Sequence, residues 1–235
     1  MILGKYEDIE ILNYYNISHI TDAKKVGAYE QIKGLSKPLT KEIVDGFGSL
    51  QLHRREFPEP LPDFTKFVLA EEAVLTDVVS FKYLSMAAGF LCSDKCRDVL
   101  TRFEVGDSRF YESKILDYSS EHKYQFCHVI ESSDYIDFSD SLFGKTTLLG
   151  RSKGDPLKVY SKEEYHNTNF HIQQNEPGMK LAQLEIALLR EIDLIRLPGS
   201  PLLFVSEKLK EELEREGVSG IKFTPSKVDI KLSKA

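Results

Sequence analysis

Residues 92–117 and 205–230 align with each other without a gap at an offset of 113, and this internal repeat constrains the fold more than any other feature of the chain. The first copy reads CSDKCRDVLTRFEVGDSRFYESKILD and the second VSEKLKEELEREGVSGIKFTPSKVDI. Identities include Ser93/Ser206, Lys95/Lys208, Leu100/Leu213, Arg102/Arg215, Val105/Val218 and Phe110/Phe223. What persists is one supersecondary unit used twice: an apolar run, a short amphipathic helix, then a strand. Nothing retained is a catalytic set, so the repeat points to a scaffold that binds something.

The second copy carries the clearer local signals. Ser206 is a favourable N-cap, and Glu207 in the first turn faces the positive end of the helix. Leu209 and Leu213 share one helix face. Gly217 suits a left-handed C′ position, with Val218 able to touch the last turn. Val228, Ile230 and Leu232 then alternate with Lys227, Asp229 and Lys231, which predicts a half-buried strand. The first copy has Glu104 where the second has Gly217, so its helix must end differently. Strand-like runs precede both copies, Asp77–Phe81 and Asp193–Leu197, with three more residues in the first connection.

Around the repeat, Glu7–Leu12 is strand-like and a helix is predicted from Thr40. Phe57–Phe64 holds three prolines at alternate positions, which forces an extended, stiff connector. The expected organisation is therefore an N-terminal segment, 1–62, lying on the same body as a repeat-bearing domain, 63–235. Lys114–Tyr118 and Lys123–Ile130 predict an antiparallel hairpin. Residues 144–178, broken by glycine and proline, predict an irregular excursion. Met179, Leu181, Leu184, Leu188 and Ile192 predict a helix over 179–191. The fold class is α+β: a mixed, partly antiparallel sheet with short helices and two repeated strand–helix–strand units.

At 235 residues the chain can bury a sizeable core. Its net charge of −6 argues against a phosphate backbone as partner and suits a basic protein instead. The amino terminus has no basic region followed by an apolar one, and no apolar stretch approaches the ~20 residues of a membrane span. Three cysteines fit a reducing cytoplasm better than a disulfide framework. The expectation is a cytoplasmic protein that touches neither nucleic acid nor membrane; its oligomeric state is not encoded legibly.

Several motifs resemble chemistry without completing it. Gly144-Lys145-Thr146-Thr147 looks like the end of a phosphate-binding loop, but Ser139 stands where the required earlier glycine belongs and Asp140 would repel phosphate, so a surface turn is expected. His166 and His171 are five apart, not the four that put two imidazoles on one helix face. Cys92 and Cys96 become Val205 and Leu209 in the second copy, which indicates packing. No Gly-x-Ser-x-Gly elbow exists, and Cys127 and His128 point to opposite faces of a strand. The expectation is no metal, no cofactor and no catalytic residue, although scattered Asp, Glu and His leave acid–base chemistry open. One cluster combines Glu131, Asp134, Asp137 and Asp140 with Tyr135, Phe138 and Phe143. It reads either as a turn with hydrophobic staples or as an anionic, aromatic patch for a basic partner. Asp134, Tyr135, Asp137 and Asp140 are the candidate contact residues.

The run from Phe204 to Pro225, FVSEKLKEELEREGVSGIKFTP, resembles the C-terminal signature of a bacterial polymorphic-toxin immunity family: an apolar run, Ser-Glu-Lys, a short helix, Gly-Val-Ser-Gly, then a phenylalanine. Ile136–Phe143 is similar to that family's mid-chain block, and the resemblance spans about 64–235. It implies an antidote, not an enzyme: an acidic cytoplasmic protein that binds a cognate bacterial toxin and neutralises it. It carries no functional residues over. The competing readings are an uncharacterised hydrolase or transferase, and a structural or regulatory module that self-associates through the repeat.

Overall fold

The computed structural model describes residues 11–37, 55–57, 66–81, 89–147 and 152–234. Its first elements are β1 (Ile11–Leu12), β2 (Tyr14–His19), α1 (Ala23–Val26), β3 (Ile32–Leu35), β4 (Phe67–Leu69) and β5 (Val78–Val79). The first repeat copy supplies β6 (Gly89–Ser93), α2 (Asp94–Leu100) and β7 (Ser108–Leu116). Then come β8 (Glu121–Val129), a 3₁₀ turn at Ser133–Tyr135, β9 (Ile136–Thr147), β10 (Ser152–Leu157), α3 (Lys162–Asn175), β11 (Met179–Leu188) and β12 (Leu194–Arg196). The second copy supplies β13 (Leu203–Ser206), α4 (Glu207–Arg215) and β14 (Ile221–Pro225), and β15 (Asp229–Leu232) follows. Short helices with mixed and antiparallel sheets make the fold α+β, as expected.

The chain forms two compact units. One comprises Met1–Tyr14, Ser133–Ile192 and Pro225–Ala235; the other comprises Tyr15–Ser132 and Asp193–Thr224. The expected boundary at 62/63, the helix from Thr40 and the proline connector beyond Phe57 lie outside the described residues.

In the larger unit, one sheet runs β12-β13-β2-β14 and another β3-β4-β7-β8-β6-β5. The two repeat copies are built alike locally. β5 lies antiparallel to β6 with Val78 opposite Cys92, and β12 lies antiparallel to β13 with Leu194 opposite Val205. Each helix starts on its serine: Ser93 Oγ accepts the Cys96 amide and Ser206 Oγ accepts the Leu209 amide, both at 3.2 Å. Each serine hydroxyl in turn donates to an aspartate of the preceding segment, Ser93 to Asp77 at 2.8 Å and Ser206 to Asp193 at 2.6 Å. The second oxygen of each aspartate reaches across the repeat. Asp77 Oδ2 accepts the amide of Ser219, behind α4, at 2.8 Å, and Asp193 Oδ2 accepts the amide of Glu104, behind α2, at 3.1 Å. Burial opposes the Asp77 charge, but the Ser219, Ser93 and Lys95 donors outweigh it and hold its pKa below the usual value.

Between the helices, Cys92, Cys96, Val99 and Leu100 meet Val205, Leu209 and Leu213 in one buried cluster. The cysteines therefore occupy the same kind of apolar position as their aliphatic counterparts. In the second copy Gly217 takes φ +63, its amide donates to Glu214, and the Val218 amide donates to Leu213 at 2.9 Å. That is a Schellman cap with the expected glycine at C′. The first copy, lacking the glycine, ends at Leu100 through overlapping turns in which Arg102 and Phe103 donate to Val99 and Leu100. The strand completing each sheet has a different origin. β6 is separated from β7 by β8, its sequence neighbour, whereas β13 is separated from β14 by β2, from near the amino terminus.

The smaller unit holds the sheet β1-β15-β11-β9-β10, antiparallel except for β11 beside β15. Here three expectations fail. Residues 179–188 form a central strand, not a helix, hydrogen-bonded to β9 on one side and β15 on the other. Their apolar spacing fits either period, and pairing on both edges decides it. The excursion at 144–178 is largely regular: β9 runs to Thr147, and α3 occupies 162–175. Ser161 caps α3, its Oγ accepting the Glu164 amide at 3.1 Å, and Glu164 Oε2 reaches back to accept the Tyr160 amide, one residue before the cap, at 2.8 Å. Gly144–Thr147 is strand interior, not a turn, and Lys145 is tied to Glu176 at 2.5 Å.

Candidate functional site

The predicted acidic and aromatic cluster lies along the start of β9 and divides three ways. Phe138 and Phe143 turn inward beneath α3, where Tyr165 meets their rings at 6.1 and 5.3 Å. They are core, as staples would be.

Asp137 and Asp140 are occupied by a bulge. On β9, Asp137 pairs with Ala187 and Leu142 with Glu185, so the four residues 138–141 stand against the single Ile186 of the partner strand. Asp137 Oδ1 closes this excursion by accepting the Ser139 hydroxyl at 2.6 Å and the Ser139 amide at 3.0 Å, while Oδ2 accepts the Ser233 hydroxyl at 2.5 Å. The Ser139 and Ser233 hydroxyls hold its carboxyl below the usual carboxylate range. Ser141 Oγ accepts the Ala187 amide at 3.0 Å, replacing the lost ladder bond. Asp140 bonds Lys231 at 3.2 Å, and Lys231 also bonds Glu185 at 2.9 Å. Burial works against the Lys231 charge, yet Glu185 and Asp140 raise its pKa above the ordinary lysine value. Lys231 was expected on the solvent face of its strand; this double pairing is why it is buried instead.

Asp134 and Tyr135 remain at the surface. Asp134 pairs with Lys162 at 3.0 Å while its side chain stays 78% exposed. The Arg190 guanidinium lies 5.1 Å from the Tyr135 ring centre. The Leu189 amide donates to the Tyr135 carbonyl, and the Leu189 side chain is 59% exposed. The surface spot is thus Asp134, Tyr135, Lys162, Leu189 and Arg190: an aromatic and an aliphatic group ringed by paired charges of both signs. The sequence spacing suggested an anionic, aromatic patch; the spot keeps the aromatic group but carries cations beside its one exposed carboxylate. Leu189 and Arg190 were missed because they were assigned to a helix.

A second site lies in the larger unit and was not singled out in the sequence. His128 is fully buried, and neither ring nitrogen has a hydrogen-bond partner among the described residues. Phe57 meets its ring edge-on at 5.4 Å, and Phe126 and Tyr111 lie at 5.9 and 6.3 Å. Arg109, opposite His128 in the β7–β8 pairing, stacks over Phe57 at 4.3 Å. Arg196 is equally buried and donates to the Val129 carbonyl at 2.8 Å. Burial, then the Arg196 and Arg109 charges, lower the His128 pKa to about 4. The one hint in sequence was an arginine inside the apolar run Asp193–Leu197, since charge is rarely buried without a local reason.

Catalytic groupings do not assemble at the places that come nearest to them. At the β7–β8 turn the same His122 nitrogen faces Asp117 at 2.7 Å and Ser120 at 3.3 Å, and Ser120 also bonds Asp117. A relay needs the two partners on opposite ring nitrogens, so this is a turn network. The Cys92 thiol, bonded to Cys96 and buried, and the buried Cys127 thiol both titrate well above the ordinary value, opposite to an activated nucleophile. Among the described residues no group of three or more His, Cys, Asp and Glu is arranged to hold a metal ion, and no helix is long and apolar enough to cross a membrane.

No protein-family model matches the chain, and no curated protein matches it.

Proposed function

We propose that this chain works by binding a protein partner, as an immunity protein that captures a cognate bacterial toxin and blocks it. The observation that carries the reading is the surface spot on the smaller unit, where Tyr135 sits under Arg190 beside an exposed Leu189. Tyrosine and arginine are the side chains that most often dominate protein interfaces, because each supplies a large contact area with a polar handle. The pairing of Ile136 with Leu188 and the Leu189 amide bond to the Tyr135 carbonyl hold this spot before any partner arrives, which lowers the ordering cost of association. The resemblance of 204–225 to an immunity family supports the same class of function. The net charge of −6 favours a basic partner through faster encounter more than through tighter holding.

The test is protection of cells expressing the toxin encoded next to this gene, with wild type and with Tyr135→Ala, Leu189→Ala and Arg190→Ala. An anchor of this kind is worth about 2 kcal/mol, or ~30-fold in Kd, per substitution. Protection should fall in step with affinity while the variants stay folded. Full protection and unchanged affinity in the triple variant would remove the spot from the interface.

A further inference from the structure

The two repeat copies differ at one place that has room for a ligand. Between α2 and the outer faces of β7 and β8 lies an open groove of about 340 Å³, walled by Asp94 and Arg97 and floored by Glu112, Lys123, Tyr124 and Gln125. At the offset of 113, Asp94 and Arg97 correspond to Glu207 and Lys210. Those two residues hold a tyrosine of this same chain: the Tyr15 hydroxyl donates to Glu207 at 3.2 Å, and the Lys210 ammonium lies 5.1 Å from the Tyr15 ring centre. Tyr15 belongs to β2, the strand that stands beside β14 as β8 stands beside β7. In the first copy the side chain reaching the equivalent carboxylate is Gln125, whose amide donates to Asp94 at 3.3 Å. Glutamine brings the hydrogen bond but no ring. Arg97 therefore has acidic neighbours, Asp98 at 2.7 Å and Asp94 at 3.4 Å, where Lys210 has an aromatic face as well.

We infer that the groove beside α2 accepts a tyrosine side chain from a protein partner, in the manner in which the second copy holds Tyr15. The ring lies against the Arg97 guanidinium, which stacks on aromatic faces more readily than an ammonium does. The phenol hydroxyl donates to Asp94, displacing the long Gln125 contact. The lining sets Arg97, Lys114 and Lys123 against Asp94 and Glu112, so overall charge does not select the occupant; Asp94, which accepts from a phenol hydroxyl and repels a phosphate, does. This inference deepens the partner-binding reading by adding a contact chemistry, and it is tested without any partner, so either can fail alone.

The probe is N-acetyl-tyrosinamide, titrated into the full chain and followed by ¹H–¹⁵N NMR, with N-acetyl-leucinamide and uridine as controls. Saturable shifts are expected at Asp94, Arg97, Ser113 and Gln125, with a Kd on the order of millimolar for so small a ligand. Arg97→Ala, at a half-exposed helix position, should weaken binding by roughly 2–5-fold. Gln125→Tyr should abolish it, because the chain would then fill its own groove as the second copy does. Absence of saturable shifts, equal response to leucinamide, preference for uridine, or undiminished binding in Arg97→Ala would each overturn the inference. Should Gln125→Tyr not fold, the Arg97→Ala titration decides.

Discussion

Replacing His128 by leucine should change the pH dependence of stability while leaving neutral stability nearly intact. The imidazole is fully buried with neither nitrogen bonded among the described residues, so leucine removes two polar atoms that contribute no hydrogen bond there. At pH 7.5 the variant should lie within about 1.5 kcal/mol of wild type, on either side. Below that the two proteins diverge. The folded pKa is lowered to about 4 from an ordinary 6.5, so between these values the unfolded chain takes up a proton that the folded chain refuses. Stability contributed by keeping His128 neutral is thus complete above pH 6.5 and lost as pH falls toward 4. Between 6.5 and about 4, at ~1.4 kcal/mol per pH unit, the full loss is about 3.5 kcal/mol, of which about 2.5 kcal/mol is reached by pH 4.5. Urea unfolding of both proteins at half-unit steps from pH 8 to 4.5 measures it. Other groups, including His19 with its own pKa lowered to about 4 by burial, act in both proteins and cancel in the difference. Parallel curves for wild type and His128→Leu would refute the account of this buried ring.

Three further outcomes follow from the fold. Asp193→Ala should destabilise the larger unit by roughly 2–3 kcal/mol, more than Ser206→Ala at about 1 kcal/mol, because it frees both the Ser206 cap and the Glu104 amide; thermal unfolding distinguishes them. Gly217→Ala should cost about 1 kcal/mol for its left-handed backbone in open space, whereas Gly220→Ala should be far worse, since a Cβ there would lie 1.9 Å from the Val78 carbonyl oxygen. Lys231→Met should destabilise the smaller unit by leaving Asp140 and Glu185 without their shared cation, and Asp140→Asn in the same background should recover part of the loss in a double-mutant cycle.

Much of the fold was legible where local chemistry is self-sufficient. Ser206 and Gly217 announced the ends of one helix, the repeat identity Ser93/Ser206 carried the start over to the other, and 114–118 with 123–130 announced a hairpin. What could not be read was non-local. β2 and β8 fill the same place in their sheets, but one precedes its repeat copy by nearly the whole chain and the other follows directly, so no alignment of the repeat reveals the equivalence. Residues 179–188 fit a helix or a strand until pairing to β9 and β15 chose. At the candidate site, Asp134 is exposed as expected, whereas Tyr135 is half-buried under Arg190. Asp137 and Asp140 look the same in sequence, yet their charges go to Ser233 and Lys231, nearly a hundred residues away.

Capture rather than chemistry, the core of the proposed function, is tested by mixing the purified chain with the toxin that the proposal requires and measuring the product by light scattering and intact mass. Capture should give a stoichiometric complex, an inactive toxin of unchanged mass, and recovery of toxin activity on dissociation in denaturant followed by refolding. Loss of toxin activity without a complex, together with a cleaved or covalently altered toxin, would contradict it.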